Sequence, residues 1–256
     1  PAPYHDLVDP ATVPDPLVDG GVDTHPFVTA ARAFGSYRPP GDDLDLRQVR
    51  ATYYGMMAEV DAQVGRLLTA LDELGATDET VVVVTSDHGE MLGDHGLMSK
   101  LGFHDQAFYI PLIVRAPGGT GIETACTGGA GQVVEGFTEN IDVMPTVLDL
   151  AGAEVPRQCQ GRSLRPFLDG SVADGGLPDG WRTAAHWEFD FRAWAGSREL
   201  DGLDGHRCNL AVHRDHRGKY VHFAGMAPIS FDLEGDPDEC EPLSDHPLMA
   251  GYAAAL

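Results

Sequence analysis

Between Leu44 and Leu74, apolar side chains recur at three- and four-residue steps: Val49, Tyr53, Met56, Val60, Val64, Leu67 and Leu71. That stripe predicts an amphipathic helix, and Gly75 is placed to close it. TVVVVTS follows. The valines Val81–Val84 predict a strand of a parallel sheet, covered on both faces. The run stops at SDHGE, which puts Asp87 and His88 just past the strand's carboxyl end. IPLIVRAP (110–117) predicts a second buried strand, ended by Pro117-Gly118-Gly119. NIDVMPTVLDLAG (140–152) predicts a helix with Gly152 near its end. Pro145 sits early in it, where a missing N–H costs least. GRSLRPFL (161–168) reads as a short connection. Helix-then-strand units of this kind build a doubly wound α/β sheet.

The flanks have a different texture. Residues 1–45 are rich in Pro, Asp and Gly, a long connection with a short helix around His25–Phe34. Loops this long often serve function. DGSVADGGLPDG (169–180) reads as a linker. Beyond it HWEFDFR, NLAVHR, KYVHFA and ISFDLE are short, aromatic and partly alternating. NLAVHR-DHRG-KYVHFA predicts a hairpin, and a helix is expected near 245–256. Two parts follow: residues 1–170 as an α/β domain, and 171–256 as a small antiparallel α+β subdomain.

Charge narrows the partners. The 256 residues carry 40 acidic and 17 basic side chains, a formal net charge of −23. Nucleic acid is not an expected partner, because the phosphate backbone demands a basic surface. An anionic membrane is disfavoured for the same reason, and no apolar run reaches the ~20 residues of a transmembrane helix. An anionic substrate would need a metal or a local cation to overcome the background. Cys126, Cys159, Cys208 and Cys240 show no C-x-x-C spacing. A structural zinc site is not expected. Sparse, irregular thiols point to a reducing, cytoplasmic compartment, although an even count also allows two disulfides.

The chemistry concentrates in VVVVTSDHGEMLGDHGLMSK, 81–100. Carboxylate oxygen and imidazole nitrogen suit a divalent cation, and Asp87 and His88 supply one of each at a sheet edge where ligands bind. The bland alternative is a strand-end turn with Asp capping a helix. Lys100 follows across a glycine-bearing loop that can aim its ammonium at an anion held by the metal. An oxyanion gripped this way is set up for phosphoryl or sulfuryl transfer.

TSDHGEMLGDHGLMSK followed by FYIPLIVRAPG resembles the sulfatase branch of the alkaline phosphatase superfamily. YYGMMAEVDAQVGRLLTALDELG, IDVMPTVLDLAG, GRSLRPFLDG and FDLEGDPDECEPL resemble the same branch. APYHDL, RQVRATYYG, HWEFDFR and KYVHFAGMAPISFDL are similar to the phosphonate monoester hydrolases within it, enzymes that also cleave phosphodiesters. The resemblance covers nearly the whole chain and implies an alkaline-phosphatase-like doubly wound sheet. It implies that Asp87 and His88 are metal ligands for one divalent ion, Mn2+ or Ca2+, and that Lys100 contacts the substrate's anionic group. His95 matches a histidine common in the loop; it and Asp94 read as loop-packing residues.

The departure from the family pattern is large. These enzymes convert the cysteine of C-x-P-x-R or C-x-A-x-R to formylglycine, whose hydrate is the nucleophile. No such motif occurs here: Cys126 lies in ACTGGA and Cys159 in QCQGRS. The family's N-terminal aspartate ligands and a histidine upstream of PAPYHDL have no counterpart either. The expectation is a C-terminal half to two-thirds of a longer enzyme, a possible homo-oligomer when complete. Alone it should lack catalysis and leave an apolar sheet edge unpaired.

Three functions compete. The first is metal-dependent hydrolysis of phosphonate monoesters, phosphodiesters or sulfate esters, all small anionic esters. The second is strict arylsulfatase or choline-sulfatase-like activity. The third is a noncatalytic interaction module. Other candidates carry weaker signals. His186, Glu188 and Asp190 alternate as metal ligands or, preferably, as a polar strand face or part of a subunit contact. His104 is a pocket or solvent residue, and His213, His216 and His222 are surface residues beside a hairpin. Trp187 and Trp194 read as packing between the two parts rather than a substrate wall. The resemblance implies that Tyr4 and His5 border the pocket mouth.

Overall fold

A 31-residue helix, α2 (Asp43–Glu73), is the longest element of the computed structural model. It closes where the sequence says it should. Gly75 adopts φ +65°, and the amides of Gly75 and Ala76 return to the carbonyls of Asp72 and Leu71. A residue with no Cβ adopts this left-handed backbone without strain. The structure describes residues 1–18, 25–117, 131–172, 175–243 and 249–254. The other α-helices among the described residues are α1 (Pro26–Ala33), α3 (Asp105–Phe108), α4 (Val143–Leu150), α5 (Arg165–Leu168) and α6 (Met249–Ala253). Six strands are seen among the described residues: β1 (Val82–Thr85), β2 (Leu112–Arg115), β3 (Ala185–Asp190), β4 (Asn209–Arg214), β5 (Gly218–Phe223) and β6 (Ile229–Asp232).

Two compact units result. One comprises residues 1–61, 88–110 and 186–256; the other comprises 62–87 and 111–185. The first holds a four-stranded sheet in the order β3-β4-β5-β6. β4 and β5 form the expected antiparallel hairpin, with Val212 opposite Val221 and Leu210 opposite Phe223. Asp215 fastens its turn by accepting the amides of Arg217 (2.8 Å) and Gly218 (2.9 Å). Against this sheet Phe27 of α1 meets Phe103, Phe191, Trp194 and Phe223 at ring-centroid distances of 5.1–5.8 Å. Trp194 is therefore a core residue of this unit. α1 begins on His25, whose Nδ1 accepts the Phe27 amide, with Pro26 at the first helical position.

In the second unit, β1 and β2 pair antiparallel, Val82 with Arg115 through Thr85 with Leu112. The expectation of a parallel pairing here is corrected. An apolar run reports that a strand is to be covered, not which way its neighbour runs. The valines are half-buried rather than buried, and Ile113 on β2 is 63% exposed. α4 follows a reciprocal cap in which the Glu139 amide donates to Asp142. GRSLRPFL is more than a connection: Arg165–Leu168 form α5, and Leu164 and Phe167 pack with Trp181. Along α2 the predicted stripe departs from expectation as well. Met56, Val60 and Leu67 are exposed, while Leu46, Arg50, Ala51 and Gly55 are buried. The described part of the expected C-terminal helix is α6; residues 244–248 and 255–256 lie outside the described residues.

Candidate metal and anion site

β1 ends at Thr85, so Asp87 and His88 follow its carboxyl end in chain order. Asn140 secures the strand end, donating to the Ser86 carbonyl at 2.9 Å and accepting from the Thr85 hydroxyl at 3.1 Å. Asp87 is exposed and is the last residue of its segment of the second unit. His88 is half-buried and opens the 88–110 segment of the first. The His88 Nδ1 lies 2.7 Å from the Gly89 carbonyl. A carbonyl only accepts, so in the neutral ring Nδ1 carries the hydrogen and Nε2 the lone pair. That is the tautomer a metal-ligating histidine adopts when a carbonyl orients it.

Gly89 is required by close approach. A Cβ there would meet the Gln106 carbonyl oxygen at 2.1 Å. Without one, the amides of Gly89 and Glu90 reach the carbonyls of Ala107 (2.8 Å) and Gln106 (3.1 Å). The chain then makes a tight loop. Leu92, His95 and Ser99 all take positive φ, at 49°, 55° and 63°. Such backbone is costly outside glycine and persists where surroundings over-determine it. Here they do: Met91, Leu92 and Leu97 are buried, the Met91 amide donates to the Ser99 carbonyl, and Glu90 accepts the Ser99 amide. Lys100 emerges exposed between this turn and the buried Leu101.

An open cavity of about 380 Å³ lies beside the loop, lined by Tyr53, Met56, Glu90, Leu92, Met98 and Ser99, among others. Burial, and then the Glu90 carboxylate, push the Tyr53 hydroxyl's pKa above its ordinary value.

The remaining candidates separate clearly. His95 is fully buried, its ring stacked on His104 at 3.8 Å, and Asp94 accepts from Arg50 Nη1 and the Leu17 amide at 3.0 Å each. His104 is not a solvent residue: it is 1% exposed and bonded through Nδ1 to Glu239 at 3.0 Å. His213 is not on the surface either. It is 8% exposed, with Nδ1 2.9 Å from His186 Nε2. His216 and His222 are exposed. Asp190 pairs with Arg192 rather than joining His186 and Glu188. Trp187 stacks on Phe108 and donates its indole N–H to the Gly102 carbonyl. Tyr4 is half-buried and His5 exposed. Tyr4's carbonyl lies against α2 at Gly55. Cys159 and Cys208 are free thiols, and the Cys240 amide donates to Asp236 at 3.0 Å; Cys126 lies outside the described residues.

Lys219 and Glu239 fall in the segments KYVHFAGMAPISFDL and FDLEGDPDECEPL without a role of their own there, yet both are completely buried and ion-paired to each other. One clue was available. Lys219 shares a strand face with Val221 and Phe223, so its charge had to meet a buried partner.

Asp87 and His88 fit a divalent cation as part of an oxygen–nitrogen ligand set. Among the described residues no three His, Cys, Asp or Glu side chains gather to complete it. No helix among them is long and apolar enough to cross a membrane.

Known proteins show the family of the chain. The sequence pattern described as Sulfatase matches residues 19–153, and that described as N-sulphoglucosamine sulphohydrolase, C-terminal, matches 93–256. The multifunctional alkaline phosphatase superfamily protein PehA of Trinickia caryophylli is 40% identical over 97% of this chain and 49% of its own length. Arylsulfatase K of Xenopus laevis is 32% identical over 78% of this chain and 34% of its own. The phosphonate monoester hydrolase of Silicibacter pomeroyi superposes with a TM-score of 0.81 at 37% identity, over 100% of this chain and 51% of that one. That of Agrobacterium radiobacter gives 0.77 at 38%, with the same coverage. The chain thus spans about half the length of these two hydrolases. With an alkaline-phosphatase-like α/β fold and a pattern match over more than half its residues, the chain belongs to the sulfatase family.

Proposed function

We propose that this chain supplies the Asp87–His88 metal ligands and the Lys100 anion contact of a hydrolase acting on phosphonate monoesters and phosphodiesters. What supports this reading is the adjacency of Asp87 and His88 in the chain, with Lys100 twelve residues after His88 on a loop whose backbone is held by Glu90 and the Met91 amide. A divalent ion bound there, Mn2+ or Ca2+, would supply Lewis-acid polarisation of the ester anion. His88, its Nδ1–H held by a carbonyl, presents nitrogen in a fixed orientation. Lys100 offsets charge on a nonbridging oxygen as the transition state forms, in a net-negative protein where an anion otherwise meets repulsion. The apolar walls of the adjoining cavity suit an alkyl or aryl ester group.

Sulfate esters are the second reading. They share the tetrahedral anion, and the likeness to arylsulfatase K favours them over part of the chain. The broader likeness to PehA and to two phosphonate monoester hydrolases favours the first. Retention of Asp87, His88 and Lys100 together argues against a noncatalytic module. Sparse, irregularly spaced cysteines support a cytoplasmic setting.

Turnover of an aryl phosphonate monoester, an aryl phosphodiester and an aryl sulfate by the full-length polypeptide, with Mn2+ or Ca2+, separates these readings. The proposal expects higher kcat/KM on the phosphorus esters. Preference for the sulfate supports the second reading, and absence of metal-dependent turnover on all three contradicts both.

A further inference from the structure

The backbone on either side of Lys100 is held by groups that no metal or substrate role explains. On the N-terminal side, the left-handed Ser99 is fixed through its amide by Glu90 and through its carbonyl by the Met91 amide. On the C-terminal side the fixing groups come from the four-stranded sheet and the segment after it. Trp187 of β3 donates Nε1–H to the Gly102 carbonyl at 3.1 Å. Lys219 of β5 donates Nζ to the Phe103 carbonyl at 2.8 Å and to Asp105 Oδ1 at 2.6 Å. Glu239 pairs with Lys219 and takes His104 Nδ1 at 3.0 Å and the Asp105 amide at 3.3 Å.

The cost of this arrangement is large. Lys219 and Glu239 are fully buried, and Glu239 has φ +60°. Isolated buried charges are unfavourable, and apolar residues often do as well for stability alone. What the pair does is grip the Phe103 carbonyl and the Asp105 amide, on either side of His104. Leu101 and Phe103, each 1% exposed, wedge the intervening chain into the core. Lys100 is thereby an exposed, flexible side chain on a backbone clamped one residue before and two residues after it.

We propose that Trp187, Lys219 and Glu239 are positioning residues for Lys100, so that the sheet of the first unit fixes where the anion-binding ammonium starts. The inference rests on the role proposed for Lys100. It makes that role dependent on the C-terminal segment FDLEGDPDECEPL, which contains no group expected to touch substrate. Precise placement of a catalytic charge depends on such supporting contacts.

The test combines two readouts on Trp187→Phe, which keeps a ring against Phe108 but removes the N–H, and on Glu239→Gln. In the purified 256-residue chain, Trp187→Phe should speed hydrogen exchange at the Ser99 amide about tenfold and leave the β4–β5 amides unchanged. An unchanged Ser99 amide, or a rise shared equally by β4 and β5, overturns the inference without reference to catalysis. In the full-length enzyme, each variant should lower kcat by about tenfold with KM nearly constant. That loss should vanish in a Lys100→Ala background, because residues acting through one group are not additive. Additive losses overturn the positioning role. Full activity of Lys100→Ala itself instead overturns the function proposed for Lys100. Should Glu239→Gln fail to fold, Trp187→Phe decides both readouts.

Discussion

Arg182 holds both carboxylate oxygens of Asp142, with Nη2 at 2.8 Å from Oδ1 and Nη1 on Oδ2. Asp142 is wholly buried and also accepts the amides of Arg162 (2.7 Å) and Glu139 (2.9 Å). The side-chain bond to Asp142 holds the Arg182 guanidinium's pKa above its usual value, against the opposing effect of burial. One carboxylate thus ties the start of α4 to chain 20 and 40 residues away. Asp142→Ala leaves the guanidinium and two amides without their acceptor. It should cost about 3–5 kcal/mol, the range for breaking a buried pair. Urea unfolding measures this, and a loss under about 1 kcal/mol would contradict it.

His213 provides a pH dependence. Burial lowers its pKa first, the neighbouring His186 lowers it further, and Asp215 opposes both. The Tyr252 ring lies against it, tilted by 32° at a centroid distance of 4.9 Å. The folded imidazole therefore binds protons less readily than the unfolded one. Its contribution is complete above the ordinary histidine pKa of about 6.5 and is lost as pH falls toward the lowered value. Wild type should lose stability relative to His213→Gln as pH falls below the ordinary histidine pKa of about 6.5. A difference that stays constant or grows in acid would count against this.

Two glycines should respond differently to alanine. At Gly75 nothing lies within 4 Å of the added Cβ, so Gly75→Ala should cost only left-handed strain, about 1 kcal/mol. At Gly89 the Cβ would collide with the Gln106 carbonyl. Gly89→Ala must break the Gly89–Ala107 bond and shift His88. In the full-length enzyme it should weaken metal retention, while Gly75→Ala should not. Equal metal content in both would show that the close approach does not position His88.

Much of this architecture was legible. Periodicity gave α2 and α4, Gly75 gave a helix end, and turn residues around Asp215 gave the β4–β5 hairpin. Adjacency in the chain brought Asp87 and His88 to one strand end. What was not legible depends on partners distant in sequence. The direction of β2 against β1 leaves no mark on LIVR or VVVT. The burial of His104 and His213 is set by Glu239 and by His186 and Tyr252, not by local pattern. The stripe of α2 marked surface suited to packing, and its Met56, Val60 and Leu67 remain exposed in the described structure.

Chemistry should require more than these residues. The sequence holds no C-x-P-x-R or C-x-A-x-R, and its four cysteines lie in other contexts. Burial is the main reason that the pKa of Cys208 is raised, which makes its thiolate scarcer. The purified 256-residue chain should turn over aryl phosphonate, phosphodiester and sulfate esters no faster than a metal-only control. Robust metal-dependent turnover by this chain would mean that its nucleophile lies among residues assigned no such role.

The central claim is that Asp87 and His88 hold the metal and Lys100 holds the ester's anion. Metal content and kcat/KM of Asp87→Ala, His88→Ala and Lys100→Ala in the full-length enzyme test it together. Asp87→Ala and His88→Ala should lose both bound metal and turnover. Lys100→Ala should retain the metal and lose about 100-fold in kcat/KM, with Lys100→Arg restoring it only in part. Full metal content in the first two variants, or near wild-type turnover in Lys100→Ala, would contradict the account.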